Sequence, residues 1–164
     1  MPVTDLLERN AREHGDETEL IELNPTMNDP RKLSFKEFDL VQQTVPHPYR
    51  RQITWRTFDE KANRVANMLI DRGITKGEKV AILMFNCLEW LPIYFGILKT
   101  GAVAVPFNFR YTANEISYCL NLAEVDVLFF GPEFISRLQM NVDGIERGRL
   151  LFYVGDNCPD FAES

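Results

Sequence analysis

Four short apolar runs, separated by segments of helix length, constrain this chain more than any other feature. Lys79 to Phe85, Ala102 to Pro106, Val125 to Phe130 and Leu150 to Val154 carry few polar residues, as strands covered on both faces must. Ahead of them, Thr54 opens a helical pattern in which Phe58, Ala62, Val65, Ala66 and Leu69 recur as one buried stripe, and Gly73 closes it. Between the runs, Asn86 with Glu89 has the spacing of a capping box, so a helix to Thr100 is predicted, with Pro92 kinking it or delaying its start. Almost every residue from Trp90 to Leu98 is apolar, which predicts a helix buried between layers. Thr112 with Glu115 marks another helix, with Ile116, Leu120 and Ala123 on one face, and Pro132 to Met140 can form a further one. Strands alternating with helices across short connections predict βαβ units with right-handed crossovers. The predicted fold class is α/β, a three-layer βαβ sandwich with a mainly parallel sheet.

The front of the chain is less regular. Thr4 or Asp5 can cap a short helix carrying Leu6, Leu7 and Ala11, which Gly15 stops, and Glu19 to Leu23 alternates as a brief strand does. Residues 24–51 hold Pro25, Pro30, Pro46 and Pro48 among polar neighbours and read as an irregular, loop-rich insertion, leaving 53–154 as the α/β core. At 164 residues the chain has the size of one ordinary domain.

Composition narrows the function classes. A formal charge of −6 argues against a nucleic-acid footprint and offers polyanions no general attraction. Cys87, Cys119 and Cys158 are unclustered, no metal-ligand spacing occurs, and a reducing, cytoplasmic compartment is expected. The first ten residues lack the pattern of a signal peptide, and Trp90 to Leu98 falls short of the roughly 20 residues that span a bilayer. No transmembrane segment is expected.

Individual candidates for chemistry mostly have structural explanations. Neither a Walker-type phosphate loop nor GxGxxG is present, and Gly131 reads as a turn residue rather than a phosphate contact. His14 and His47 have no nucleophile or carboxylate partner nearby in sequence, and Cys119 reads as a buried, inert thiol on a helix. Asp126 begins a strand, Glu133 opens a helix and offsets its dipole, and Asp156 stands alone. Arg110 follows the end of a parallel strand, where α/β sheets place ligands, and its guanidinium suits phosphate. The competing reading is a surface arginine that fixes the Phe107 to Tyr111 loop. Trp90, Tyr94 and Phe95 read as core. No catalytic, cofactor-binding or metal residue is assigned.

Two strings carry a family resemblance. Ile53-Thr54-Trp55-Arg56-Thr57-Phe58-Asp59-Glu60-Lys61-Ala62-Asn63-Arg64-Val65-Ala66 and Leu98-Lys99-Thr100-Gly101-Ala102-Val103-Ala104-Val105-Pro106 resemble the first two core motifs of the adenylate-forming synthetases. Asn86-Cys87-Leu88-Glu89-Trp90 and Asn108-Phe109-Arg110-Tyr111-Thr112-Ala113-Asn114-Glu115 add a likeness to the acyl-CoA synthetases. Thr57 departs from the pattern, which usually has a glutamate there, so a slightly weaker helix start is expected.

The resemblance implies that residues 1–164 are the front portion of the large N-terminal domain of an AMP-forming carboxylate–CoA ligase. Such an enzyme uses ATP, Mg2+ and coenzyme A to turn a carboxylic acid into an acyl-adenylate and then an acyl-CoA. The family's phosphate loop, adenine motif, ribose-binding aspartate and catalytic lysine have no counterpart in these residues. The segment alone is therefore expected to be structural and inactive and to bind no cofactor tightly, its partners being the rest of that domain and the C-terminal domain in cis. The alternative is a stand-alone α/β scaffold or interaction protein, and exposed apolar surface would favour homo-oligomers. A receiver or flavodoxin-type module fits poorly, because Met84-Phe85-Asn86 and Phe129-Phe130-Gly131 stand where those folds need acidic residues or a hydroxyl-rich loop.

Overall fold

The computed structural model describes residues 2–23, 50–141 and 149–164. They fall into two compact units, Met1–Lys61 and Ala62–Ser164.

In the first unit, helix α1 (Val3–Glu13) buries Leu7 and Ala11 and leaves Leu6 half-buried. Its N-cap is Pro2, without a side-chain cap bond, rather than Thr4 or Asp5. Proline suits a helix entrance because the N–H it lacks would have had no intrahelical partner. Strand β1 (Thr18–Leu23) pairs antiparallel with β2 (Arg50–Thr54). β2 takes the end of the expected insertion, so Arg50 and Arg51 belong to a strand; positions 24–49 lie outside the described residues. No apolar alternation announces Arg50-Arg51-Gln52. The strand exists because β1 supplies its ladder, with Arg51 paired to Glu22 at 3.2 Å.

Helix α2 (Trp55–Asp71) begins in this unit and ends in the second. Its first amides are satisfied by the turn after α1: Trp55 N–H donates to Glu17 O (3.1 Å) and Arg56 N–H to Gly15 O (3.0 Å). Thr57 N–H donates to Thr54 Oγ1 at 3.3 Å. Thr54 Oγ1 thus supplies the half of a capping box that serves Thr57 N–H, while backbone carbonyls hold the two amides before it.

In the second unit, β3 (Lys79–Leu83), β4 (Val103–Pro106), β5 (Val127–Phe130) and β6 (Leu150–Tyr153) form one parallel sheet in the order β4-β3-β5-β6. Alternate residues divide between its faces, as the pleat dictates. Val80, Ile82, Val127, Phe129 and Phe152 pack with Leu69 of α2 and with Ile93 and Ile97 of helix α3 (Trp90–Thr100). Ala81, Leu83, Leu128, Phe130, Leu151 and Tyr153 pack with Ile116 and Leu120 of α4 (Ala113–Leu122) and with Phe134 and Leu138. Phe134 ends a 3-10 turn, Pro132–Phe134, which leads into α5 (Ile135–Gln139). Helices cover both faces, giving three layers. Each fully buried Leu, Ile or Phe contributes roughly 1.5–3 kcal/mol.

The boundaries carry two corrections. The Asn86–Glu89 capping box does not form: α3 starts at Trp90, with Glu89 as its N-cap and no side-chain cap bond. Pro92 accounts for this, because as the third helical residue it sits where a missing N–H costs nothing. The same helix buries Pro92, Ile93, Gly96 and Ile97 and leaves its other residues half-buried, so it is buried on one face only. By contrast, the Thr112–Glu115 box is complete, with Thr112 N–H donating to Glu115 Oε2 at 2.7 Å.

Candidate functional site

The strand order reverses at the centre of the sheet. From β3 the chain crosses by α3 over one face to β4, then returns by α4 over the other face to β5. The connections leaving β3 and β5 thus diverge, and in α/β sheets ligands occupy the crevice outside the carboxyl ends of such strands. In this chain the edge is built from residues 84–89 after β3, 107–112 after β4, and Gly131 after β5.

Aromatic side chains cluster beside it. Phe85 packs edge-on against Phe109 with centroids 5.2 Å apart and against Phe134 at 5.6 Å. Phe107 meets Tyr111 at 6.0 Å. Gly131 is extended, not left-handed, and a Cβ there would crowd the far end of the Glu133 side chain at 2.7 Å and touch Met84 Cγ at 3.7 Å. Nothing in this arrangement is a nest of backbone N–H donors.

The β4–α4 loop is the most polar part of the edge. Tyr111 N–H donates to Asn108 O at 3.0 Å and Arg110 N–H to Asn108 Oδ1 at 2.9 Å. Arg137 of α5 donates from Nη1 to both Phe109 O (2.7 Å) and Tyr111 O (3.1 Å), its guanidinium 5.3 Å from the Phe134 ring centre. Arg110 is exposed and lies 5.4 Å over Phe109. Cys87 is half-buried after β3, and burial pushes its thiol up to about 11. Tyr111 is also raised, chiefly by the Cys119 sulfur beside it.

The remaining candidates are scattered. Asp126 Oδ2 accepts from Lys79 N–H at 2.8 Å, and Asp126 N–H donates to Lys79 O at 2.8 Å. That reciprocal pair ties the amino ends of β3 and β5, opposite the crevice, and gives Asp126 a structural role. Glu133 and Asp156 are exposed, and Cys119 is half-buried rather than buried. His14 bonds Glu17 at 2.9 Å; His47 lies outside the described residues. Trp90 stacks on Tyr94 at 5.4 Å, and both pack half-buried against the core. Arg137 carried no signal in the sequence, because its partners are carbonyls more than twenty residues away. Among the described residues no cluster of His, Cys, Asp or Glu could hold a metal, and no helix is long and apolar enough to cross a membrane.

The sequence pattern that defines the family described as AMP-binding enzyme matches residues 7–152. The chain belongs to that family. Among curated AMP-binding relatives, the medium/long-chain-fatty-acid–CoA/3-oxocholest-4-en-26-oate–CoA ligase of Mycobacterium marinum is 36% identical over 87 residues, 53% of this chain and 16% of that protein. The crotonobetaine/carnitine–CoA ligase of Salmonella paratyphi B is 36% identical over 84 residues, 51% of this chain and 16% of that protein. Among solved structures, the anthranilate CoA ligase AuaEII, in complex with anthranoyl-AMP, superposes with a TM-score of 0.76 at 24% identity, covering 100% of this chain and 27% of that one. The matched regions are thus a minor part of each relative's length. The fold is that of the N-terminal domain of adenylate-forming ligases, and the homologues are acyl-CoA ligases.

Proposed function

We propose that this chain forms the front part of the large domain of an ATP-dependent, AMP-forming carboxylate–CoA ligase. The observation that carries this is the family match across residues 7–152, supported by a parallel sheet in the order β4-β3-β5-β6. In that reaction a carboxylate displaces pyrophosphate from ATP, and the thiol of coenzyme A then displaces AMP from the acyl-adenylate. ATP, Mg2+ and coenzyme A belong to the whole enzyme. The residues at the carboxyl edge here do not suit a triphosphate: Phe85, Phe109 and Phe134 cluster beside it, and its segments 84–89 and 107–112 contain no lysine. No catalytic step is assigned to any residue of this chain, and these 164 residues taken alone are inactive. The rest of the large domain and the C-terminal domain supply the chemistry in cis.

Two relatives of equal identity are named for different acids, so identity over this segment does not name the acid; fatty acids are the first class to test. The free thiols of Cys87, Cys119 and Cys158 support a reducing, cytoplasmic setting. The exposed Tyr118 and Leu122 of α4 support self-association of the isolated chain, which a concentration-dependent mass in light scattering would show and a strict monomer would refute.

The decisive assay is carboxylate-dependent ATP–pyrophosphate exchange, run on these 164 residues and on the polypeptide encoded by the native reading frame. The reading expects exchange from a frame that continues into a Ser/Thr/Gly-rich phosphate loop, and none from the 164 residues. Exchange by the 164 residues alone would overturn the assignment of a structural role. A continuing frame that activates no acid in a panel of short, medium, long-chain and aromatic acids would overturn the ligase reading.

A further inference from the structure

We propose that Arg137 is the positioning residue of the β4–α4 loop, the clamp that gives the carboxyl edge of the sheet its fixed conformation. Residues 107–112 leave the edge strand of the sheet and reach α4 with one internal backbone bond, Tyr111 N–H to Asn108 O, and one side-chain bond, Arg110 N–H to Asn108 Oδ1. Two of the loop's carbonyls, Phe109 O and Tyr111 O, point away from those bonds and converge on a single atom, Arg137 Nη1, at 2.7 and 3.1 Å. A cation shared between two carbonyls is a stronger tie than a neutral donor, and its geometry is fixed from behind. The guanidinium lies over the Phe134 ring at 5.3 Å, and Phe134 is fully buried in the core. Phe134 also packs on Phe85, which packs on Phe109. The loop is therefore held at its backbone by Arg137 and at its ring by Phe85, and both holds run back to one buried residue. Arg110, exposed in this loop, lies over the ring of Phe109 that the frame holds.

That this loop faces ligand rests on the ligase reading; that Arg137 orders it does not. The test separates donor from packing by hydrogen exchange on the 164-residue chain, comparing Arg137→Met with Arg137→Lys. Methionine keeps a stem that can cover Phe134 but has no N–H, whereas the lysine ammonium can donate to both carbonyls. Arg137→Met is expected to speed exchange at the Arg110 and Tyr111 amides about tenfold or more, with β3 and β5 amides unchanged and Arg137→Lys close to wild type. Wild-type protection in Arg137→Met, or a uniform loss along the sheet in either variant, overturns the proposal. Failure of the exchange assay above would remove the ligase reading and leave this result standing.

Discussion

Gly96 lies so close to Val65 that a Cβ at position 96 would stand 2.6 Å from Val65 Cβ and 2.9 Å from Ala62 O. The contact brings the backbone of α3 onto α2 at the helix–helix seam above the sheet. Any side chain at 96 must push the helices apart. Gly96→Ala is expected to destabilise the chain by about 1–3 kcal/mol, although alanine gains roughly 1 kcal/mol in intrinsic helix propensity. Urea titration measures the difference. Adding Val65→Ala should recover only part of it, because the Cβ at 65 remains.

Two helices end in the same hydrogen-bond motif with different residues at the left-handed position. After α2, Gly73 (φ 84) donates to Ile70 O and Ile74 N–H to Leu69 O. After α4, Glu124 (φ 50) donates to Asn121 O and Val125 N–H to Leu120 O. Both are Schellman closures, and glycine is the residue they favour. A non-glycine residue there carries about 1–2 kcal/mol of steric cost, more than its exposed ion pair with Lys79 returns. Glu124→Gly should therefore raise the melting temperature by a few degrees; a fall would show that the pair with Lys79 outweighs the strain.

Thr112→Ala removes the acceptor of the α4 capping box and should cost about 1 kcal/mol. The backbone and hydroxyl of Thr112 hold the Glu115 carboxyl below its ordinary value. A lowered folded pKa gives stability that is complete above the unfolded pKa and is lost as pH falls through the folded one. The wild type should thus lose part of its advantage over Thr112→Ala in acid, and parallel pH–stability curves would contradict the assignment.

Cys87 works in the opposite sense. Burial raises its thiol from 9.0 to about 11, so the fold favours the protonated form. Its contribution is intact below the ordinary thiol pKa and is lost as pH rises through the folded value. At pH 8 it holds about a hundredfold less thiolate than an unshifted thiol. Iodoacetamide should label the exposed Cys158 first and Cys87 last, as read by mass spectrometry.

Much of the fold was legible because its signals are local or periodic. The apolar runs located β3 to β6, the Thr112–Glu115 spacing located the start of α4, and Gly73 and Gly101 mark helix ends in the left-handed conformation. One failure came where a partner distant in sequence decides: β2 has no pattern of its own and forms against β1. The other was local, because with Pro92 in its first turn α3 starts at Trp90, past the Asn86–Glu89 spacing.

What the sequence alone determined was the alternation of strand and helix, hence a parallel α/β sandwich, and the two motif strings that announced the family. Those depend on periodicity and on short contiguous runs, which need no third dimension. The tertiary structure decided that the strands order as β4-β3-β5-β6, that Phe85, Phe109 and Phe134 meet beside the edge this order creates, and that Arg137 reaches back to hold the loop there. These depend on which side chains the crossovers bring together from distant parts of the chain, and no local spacing encodes that meeting.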